Sequence, residues 1–250
     1  MAIQRISLLT VPVDVINPDD LEKEILTLSE KPGAKQIVFL SLKDLLFARI
    51  NSDFMICLQN ADLVLPVSRS IVSGASFLKL PVPFRYNPFD AIISILSVLD
   101  KHYKTLYLLG NHKKSLMQAE QNIHSTFSGL RIVGRHSGYN NKTVEKDVVS
   151  AIYKASPALV LLSNGIKGGS RWVYSRRNSF SSSMFLYRKD ILDIFSHRKK
   201  NVSEKLFAKG LEFFPEILKN PLKILFIFTY MWYKILLLFY KITSKQSKSY

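Results

Sequence analysis

The sequence is short of cysteine, of acid and of the glycine patterns that mark common nucleotide-binding loops. One thiol, Cys57, stands among 250 residues. No internal disulfide can form, which fits a reducing compartment. Cys57 sits in an apolar helical run with Phe54, Met55, Ile56 and Leu58, where packing is the expected role. Neither the P-loop spacing nor the dinucleotide GxGxxG spacing occurs. There is no repeat at a solenoid period and no low-complexity linker. His112 has no neighbouring partners for a metal. Residues 1–15 lack a sustained apolar core and a small-residue cleavage site, so no signal peptide is expected. Hydrophobic residues make up 47% and charged residues 22%, which argues against wholesale disorder.

Acids number 19 against 35 Lys and Arg, a net charge of +16. From Arg198 onward eleven Lys or Arg face three acids, a surplus of eight and half of the total. A basic end points to anionic lipid or nucleic acid, and its neighbours choose between them. Asn220-Pro221 reads as a cap with proline at the first helical position, followed by the run LKILFIFTYMWYKILLLFY, 222–240. On a helix Lys223, Lys234 and Lys241 fall within about 20° of one another. A lysine stripe opposite an apolar face with Trp232, Tyr230 and Tyr233 is the pattern of an interfacial helix. A helix packed on the main domain ranks second, a tilted spanning helix third and a nucleic-acid surface last, because phosphate-binding helices are not this apolar.

Residues 1–197 alternate strand-like and helical runs. Ile3–Val15 reads as a strand or hairpin. Gln36–Leu40, Leu63–Pro66, Thr105–Leu109, Leu130–Gly134 and Ala158–Ser163 read as strands. Pro18–Ser29, Leu42–Leu58, Ile71–Leu78, Pro88–His102, Lys113–Phe127 and Thr143–Ala155 read as helices, and Ser175–Ser183 as a mobile loop. The rhythm predicts an α/β fold, a doubly wound, mostly parallel, Rossmann-like sheet, with residues 198–250 as a membrane-associating appendage.

In such sheets ligands bind beyond the carboxyl ends of the strands. Four segments fall there. Ser68, Arg69 and Ser70 follow one strand and suit either a helix cap or a phosphate. Gly110-Asn111-His112 holds a single glycine, a weak nucleotide signal. Ser137-Gly138-Tyr139 offers an aromatic that suits stacking or edge packing. Ser163 to Trp172 carries three glycines with Lys167 and Arg171, and slightly favours phosphate binding over a plain loop.

Taken in order, these segments resemble the WecB/TagA/CpsF family of glycosyltransferases. The resemblance rests on ADLVLP at 61–66, Arg85 with Asp90, LLGN at 108–111, Gly138-Tyr139, PALVLLSNG at 157–165 and Trp172. It continues through Leu192-Asp193, Gly210-Leu211-Glu212-Phe213 and Asn220-Pro221-Leu222-Lys223. It implies transfer of an N-acetylmannosamine-type sugar from a UDP-sugar to a polyprenyl-diphosphate-linked acceptor. The work would take place at the cytoplasmic face of the cell membrane, in cell-surface polysaccharide synthesis, with no cofactor. Arg85, Ser41, Asn164, Gly165, Lys167, Gly169, Arg171 and Lys223 fall at the implied substrate positions.

The departures fall on the implied chemistry. Thr-x-Asn is here Phe39-Leu40-Ser41, and Pro-Lys-Gln-Glu is Lys167-Gly168-Gly169-Ser170. Arg-Ala-Pro is Asn201-Val202-Ser203, and the Asp-Gly that carries the proposed base is Val67-Ser68. Valine accepts no proton. Asp90 and Asp193 are the substitute candidates. Two readings follow: a divergent transferase, or a non-catalytic membrane-bound partner in polysaccharide assembly. A homo-oligomer is left open by the sequence.

Overall fold

A computed structural model of the chain describes residues 3–138, 142–210 and 226–246. It opens with an antiparallel hairpin, β1 (Gln4–Leu8) and β2 (Val11–Val15). Six parallel strands follow: β3 (Gly33–Leu40), β4 (Leu63–Pro66), β5 (Thr105–Leu109), β6 (Arg131–His136), β7 (Leu159–Leu162) and β8 (Ser182–Tyr187). Their order is β4-β3-β8-β7-β5-β6. The expected α/β doubly wound sheet is therefore present. The central strands are short apolar runs because both of their faces are covered.

Alternation along each strand divides the core. Ile37, Leu63, Leu108, Leu161 and Leu186 face one layer of helices, α1 (Pro18–Glu30), α5 (Pro88–Lys101), α6 (Lys113–Thr126) and α9 (Ile191–Phe195). Val38, Leu40 and Val64 face the other layer, with α2 (Leu42–Ala48), α3 (Ser52–Gln59) and α4 (Arg69–Phe77). Tyr107, Val160 and Phe185 continue that second layer under α7 (Lys142–Ala155) and α8 (Ser170–Arg176). The hairpin clamps the β4 edge through Asp14, which is 1% exposed. Its carboxylate accepts the Val64 N–H at 2.7 Å and two Arg5 donors at 2.7 and 2.8 Å. Paired this way, the buried charge is satisfied; stripped of Arg5 it would be costly.

Two expectations are corrected. The single helix over Leu42–Leu58 is two, α2 and α3, because the Asn51 side chain accepts the Phe54 N–H at 2.8 Å and starts a new helix. Ser175–Ser183 is no mobile loop. It holds the end of α8, a 3₁₀ turn at Arg177–Ser179 and the start of β8. That strand lies between β3 and β7, with Met184, Phe185 and Leu186 fully buried. Its serine-rich entry hides the apolar run behind it.

Among the described residues two further helices follow, the short α10 (Glu204–Lys209) and the 21-residue α11 (Phe226–Gln246). The second-ranked reading of the tail describes one side of α11: it packs on the α/β domain. Tyr233 and Leu237 are buried with α4 residues Ile71 and Ala75, and the Tyr233 hydroxyl donates to the Ser70 carbonyl at 2.9 Å. Gly74 makes room, since a Cβ there would lie 1.9 Å from that hydroxyl oxygen. Ile227, Met231, Ile235, Phe239 and Ile242 remain exposed. The lysines are not opposite this apolar face. At 100° per residue, Lys234 lies between Tyr233 on the docked side and Ile235 on the exposed side. Lys241 shares that margin and stacks over Phe77 at 3.9 Å. Lys223 and the Asn220-Pro221 cap lie outside the described residues. Among the described residues, no helix is long and apolar enough to cross a membrane.

Candidate active site

The carboxyl edge of the sheet has two halves. In the first, β5 connects outward to β6 while its neighbour β7 connects the other way to β8, the arrangement that places a crevice at the strand ends. The loops there are tied by main chain. Asn111 N–H donates to the Asn164 carbonyl, Gly138 N–H to the Asn111 carbonyl at 2.9 Å, and Asn164 N–H to the Lys189 carbonyl at 2.8 Å. Glycine is needed for this approach. A Cβ on Gly110 would lie 2.6 Å from the Asn164 carbonyl oxygen, and one on Gly138 would lie 2.8 Å from the Gly165 Cα. Asp193 joins the cluster, its Oδ1 accepting from Asn111 Nδ2 at 2.8 Å. The structure therefore brings Asn111, Asn164, Gly165 and Asp193 together. Asn111 was legible only as the last letter of LLGN; its side chain bridges the His112 N–H and Asp193.

The second half lies at the ends of β3 and β4. Ser41 caps α2: its hydroxyl accepts the Asp44 N–H at 3.3 Å while Asp44 accepts the Ser41 N–H at 3.0 Å. Ser68 accepts the Leu42 N–H at 3.1 Å, tying the two strand ends together. Val67 donates its N–H to the Leu40 carbonyl and accepts, at its own carbonyl, Arg85 Nε at 3.0 Å. Arg85 also donates to the Phe207 carbonyl at 2.7 Å and lies 3.8 Å above that ring. Arg69 holds the Lys209 carbonyl at 3.1 Å. These two arginines seat α10 against this half of the edge. Sequence reasoning missed this contact because carbonyl acceptors leave no signature.

Asp90 stands in the first turn of α5, whose cap Asn87 accepts the Phe89 N–H at 3.2 Å. The same segment begins at Tyr86, whose N–H donates to the Pro66 carbonyl at 2.9 Å. Asp90 is therefore on the lip that carries Val67 and Arg85. Burial, then the charge of Glu204 on α10, pushes its carboxyl above the usual carboxylate range, with the Asn87 hydrogen bond working the other way.

Lys167 and Arg171 occupy a different place. They line a concavity of about 370 Å³ with Asp53 and Ile56 of α3, and Arg85 is not among its walls. Gly169 presses on the Tyr187 ring, which a Cβ would meet at 2.7 Å. Cys57, on the same flank, is buried against Gln36 and the Ser170 carbonyl, both at 3.6 Å. Burial pushes its thiol up to about 11, as suits packing rather than nucleophilic chemistry. Trp172 is buried and donates to Glu145 at 2.6 Å. Tyr139 lies outside the described residues. Among the described residues no group of His, Cys, Asp and Glu could hold a metal.

The sheet, its loop cluster and the Arg85 lip define a doubly wound α/β domain with a crevice at its carboxyl edge. A family model described as the glycosyl transferase WecG/TagA/CpsF family matches residues 6–249, and the chain belongs to that family. It is also similar to an N-acetylglucosaminyldiphosphoundecaprenol N-acetyl-beta-D-mannosaminyltransferase of Bacillus subtilis (strain 168). The identity is 23% over 210 residues, covering 81% of this chain and 77% of the relative.

Proposed function

We propose that this protein is a membrane-peripheral glycosyltransferase of cell-surface polysaccharide synthesis. It transfers an N-acetylmannosamine-type sugar from a UDP-sugar to a polyprenyl-diphosphate-linked acceptor. The observation that carries this reading is the tie of the segment holding Arg85 and Asp90 to the end of β4, through the Val67 and Pro66 carbonyls. Asp90 takes the proton from the acceptor hydroxyl. The oxygen attacks the anomeric carbon, the bond to the UDP oxygen breaks, and Arg85 offsets the charge that develops on the diphosphate. A carboxyl raised by burial and by Glu204 is a stronger base than an ordinary one. Asp193, hydrogen-bonded to Asn111 across the edge, positions the loop cluster.

Support for membrane association comes from α11. One side grips the domain through Tyr233, the opposite side is apolar and exposed, and Lys234 and Lys241 run along one margin of it, a pattern suited to an anionic membrane surface. The site then faces the cytoplasmic leaflet, where lipid-linked acceptors are within reach.

The second reading, a non-catalytic partner, is favoured by one feature: Arg85 already holds Val67 and Phe207. Purified protein, a panel of UDP-sugars and a polyprenyl-diphosphate N-acetylglucosamine acceptor decide between them. Sugar transfer that falls by about 10²–10⁴ in Asp90→Asn supports the transferase. UDP binding without any transfer supports the partner.

A further inference from the structure

Resting on that reading, we propose that a groove between α2 and α11 holds the isoprenoid chain of the acceptor. The groove has a volume of about 590 Å³, within the range of small-molecule sites. One wall is Lys43, Leu46, Phe47 and Ile50, the i, i+3, i+4, i+7 face of α2 and the turn that follows it. The other wall is Phe228, Trp232 and Leu236, spaced by four on α11. Both helices leave the carboxyl edge together. α2 starts at the Ser41 cap, directly after β3. α11 is hooked to Ser70 at the start of α4 by Tyr233 and to Phe77 at its end by Lys241. One end of the groove therefore opens beside Val67 and Arg85, and the other runs out at Ile50, which is 85% exposed.

Charge and polarity match one occupant. The walls are mostly aliphatic and aromatic, with Lys43 at the end nearest the reacting centre and Arg49, whose guanidinium is held by the Leu9 carbonyl, beside the exit. A diphosphate joined to a long hydrocarbon has that distribution: an anionic head at the strand ends and an apolar chain leading away. The wall shared with α11 is continuous with its exposed apolar face, so a chain leaving the groove passes into the bilayer without crossing water. A broken helix at Arg49–Asn51 places Ile50 at that exit.

The test uses the full chain and farnesyl diphosphate as the probe, with inorganic diphosphate as its tail-free control. Trp232 lines the groove, so its emission should shift to the blue on binding, while Trp172 is buried elsewhere. Farnesyl diphosphate should bind tighter than inorganic diphosphate by about tenfold or more. Ile50→Glu and, separately, Phe47→Ser should erase that difference, while Ile227→Glu, on the exposed side of α11 turned away from the groove wall, should weaken vesicle binding and leave it intact. Equal farnesyl diphosphate affinity in both groove variants and the parent would overturn the assignment. So would displacement by dioctanoyl phosphatidylglycerol at the same concentration, which would make the groove a general lipid seat. The two proposals fail separately. Sugar transfer with an unchanged acceptor KM in the groove variants defeats the groove alone. A retained farnesyl preference without any sugar transfer defeats only the transferase.

Discussion

The two halves of the carboxyl edge carry the family pattern differently. At the ends of β5, β6 and β7 the motifs LLGN, SNG and the glycine before Tyr139 stand intact, and backbones pack there within contact distance. At the ends of β3 and β4 the expected amide and carboxylate are Ser41 and Val67, both absorbed into main-chain bonding. Backbone packing leaves no choice but glycine, whatever the chemistry nearby. A catalytic side chain has no such anchor, and its role can pass to a neighbour on the same lip. The intact half therefore reports the fold, and the altered half reports what the chemistry has become.

The sharpest way to break this comparison is to add one carbon to the packed half. Gly165 has φ +89 and its Cβ would lie 3.0 Å from the Gly138 Cα. Gly165→Ala should cost about 3 kcal/mol or more, lowering the thermal midpoint by roughly 6–12 °C. Val67→Ala in the other half should cost only about 1 kcal/mol, since Val67 is only partly buried. Similar losses in calorimetry would remove the distinction. Arg85→Ala should weaken UDP binding by about 1.5–3 kcal/mol if its contact with the diphosphate is charge-assisted, and unchanged titration calorimetry would take Arg85 out of the site. Tyr233→Phe should destabilise the docked tail by about 1 kcal/mol, the worth of one hydrogen bond, measured as a lower midpoint in urea unfolding.

The smallest effect is a shift in pH dependence. Asp90 must be ionised to accept a proton, so the rate should fall as pH drops through its raised pKa. Glu204 contributes to that raising. Glu204→Gln should therefore move the acid limb of the rate profile to lower pH, and an unmoved limb would detach Asp90 from the rate.

Most of the fold was legible because short apolar runs alternate with helical spacing; β4 and β5 fall on the residues their composition marked. What escaped was set by local polar competition. Asn51 broke one helix into two, and the serines opening β8 disguised a central strand. The site was legible where glycine spacing records backbone contact, at Gly110 and Gly165. It was not legible where arginines reach distant carbonyls, as Arg85 does to Phe207, 122 residues away. Lys167 and Arg171 were grouped with Arg85 by the family resemblance and the glycine-rich loop that holds them; they line a concavity beside α3 whose walls do not include Arg85.

The central claim is that base chemistry belongs to the Val67 lip and is now supplied by Asp90. The direct measurement is sugar transfer by the parent, by Asp90→Asn, and by Asp90→Asn combined with Val67→Asp. The account predicts a loss of about 10²–10⁴ in the single variant and recovery of at least about tenfold when a carboxylate is restored at position 67. Turnover by Asp90→Asn equal to that of the parent would contradict it.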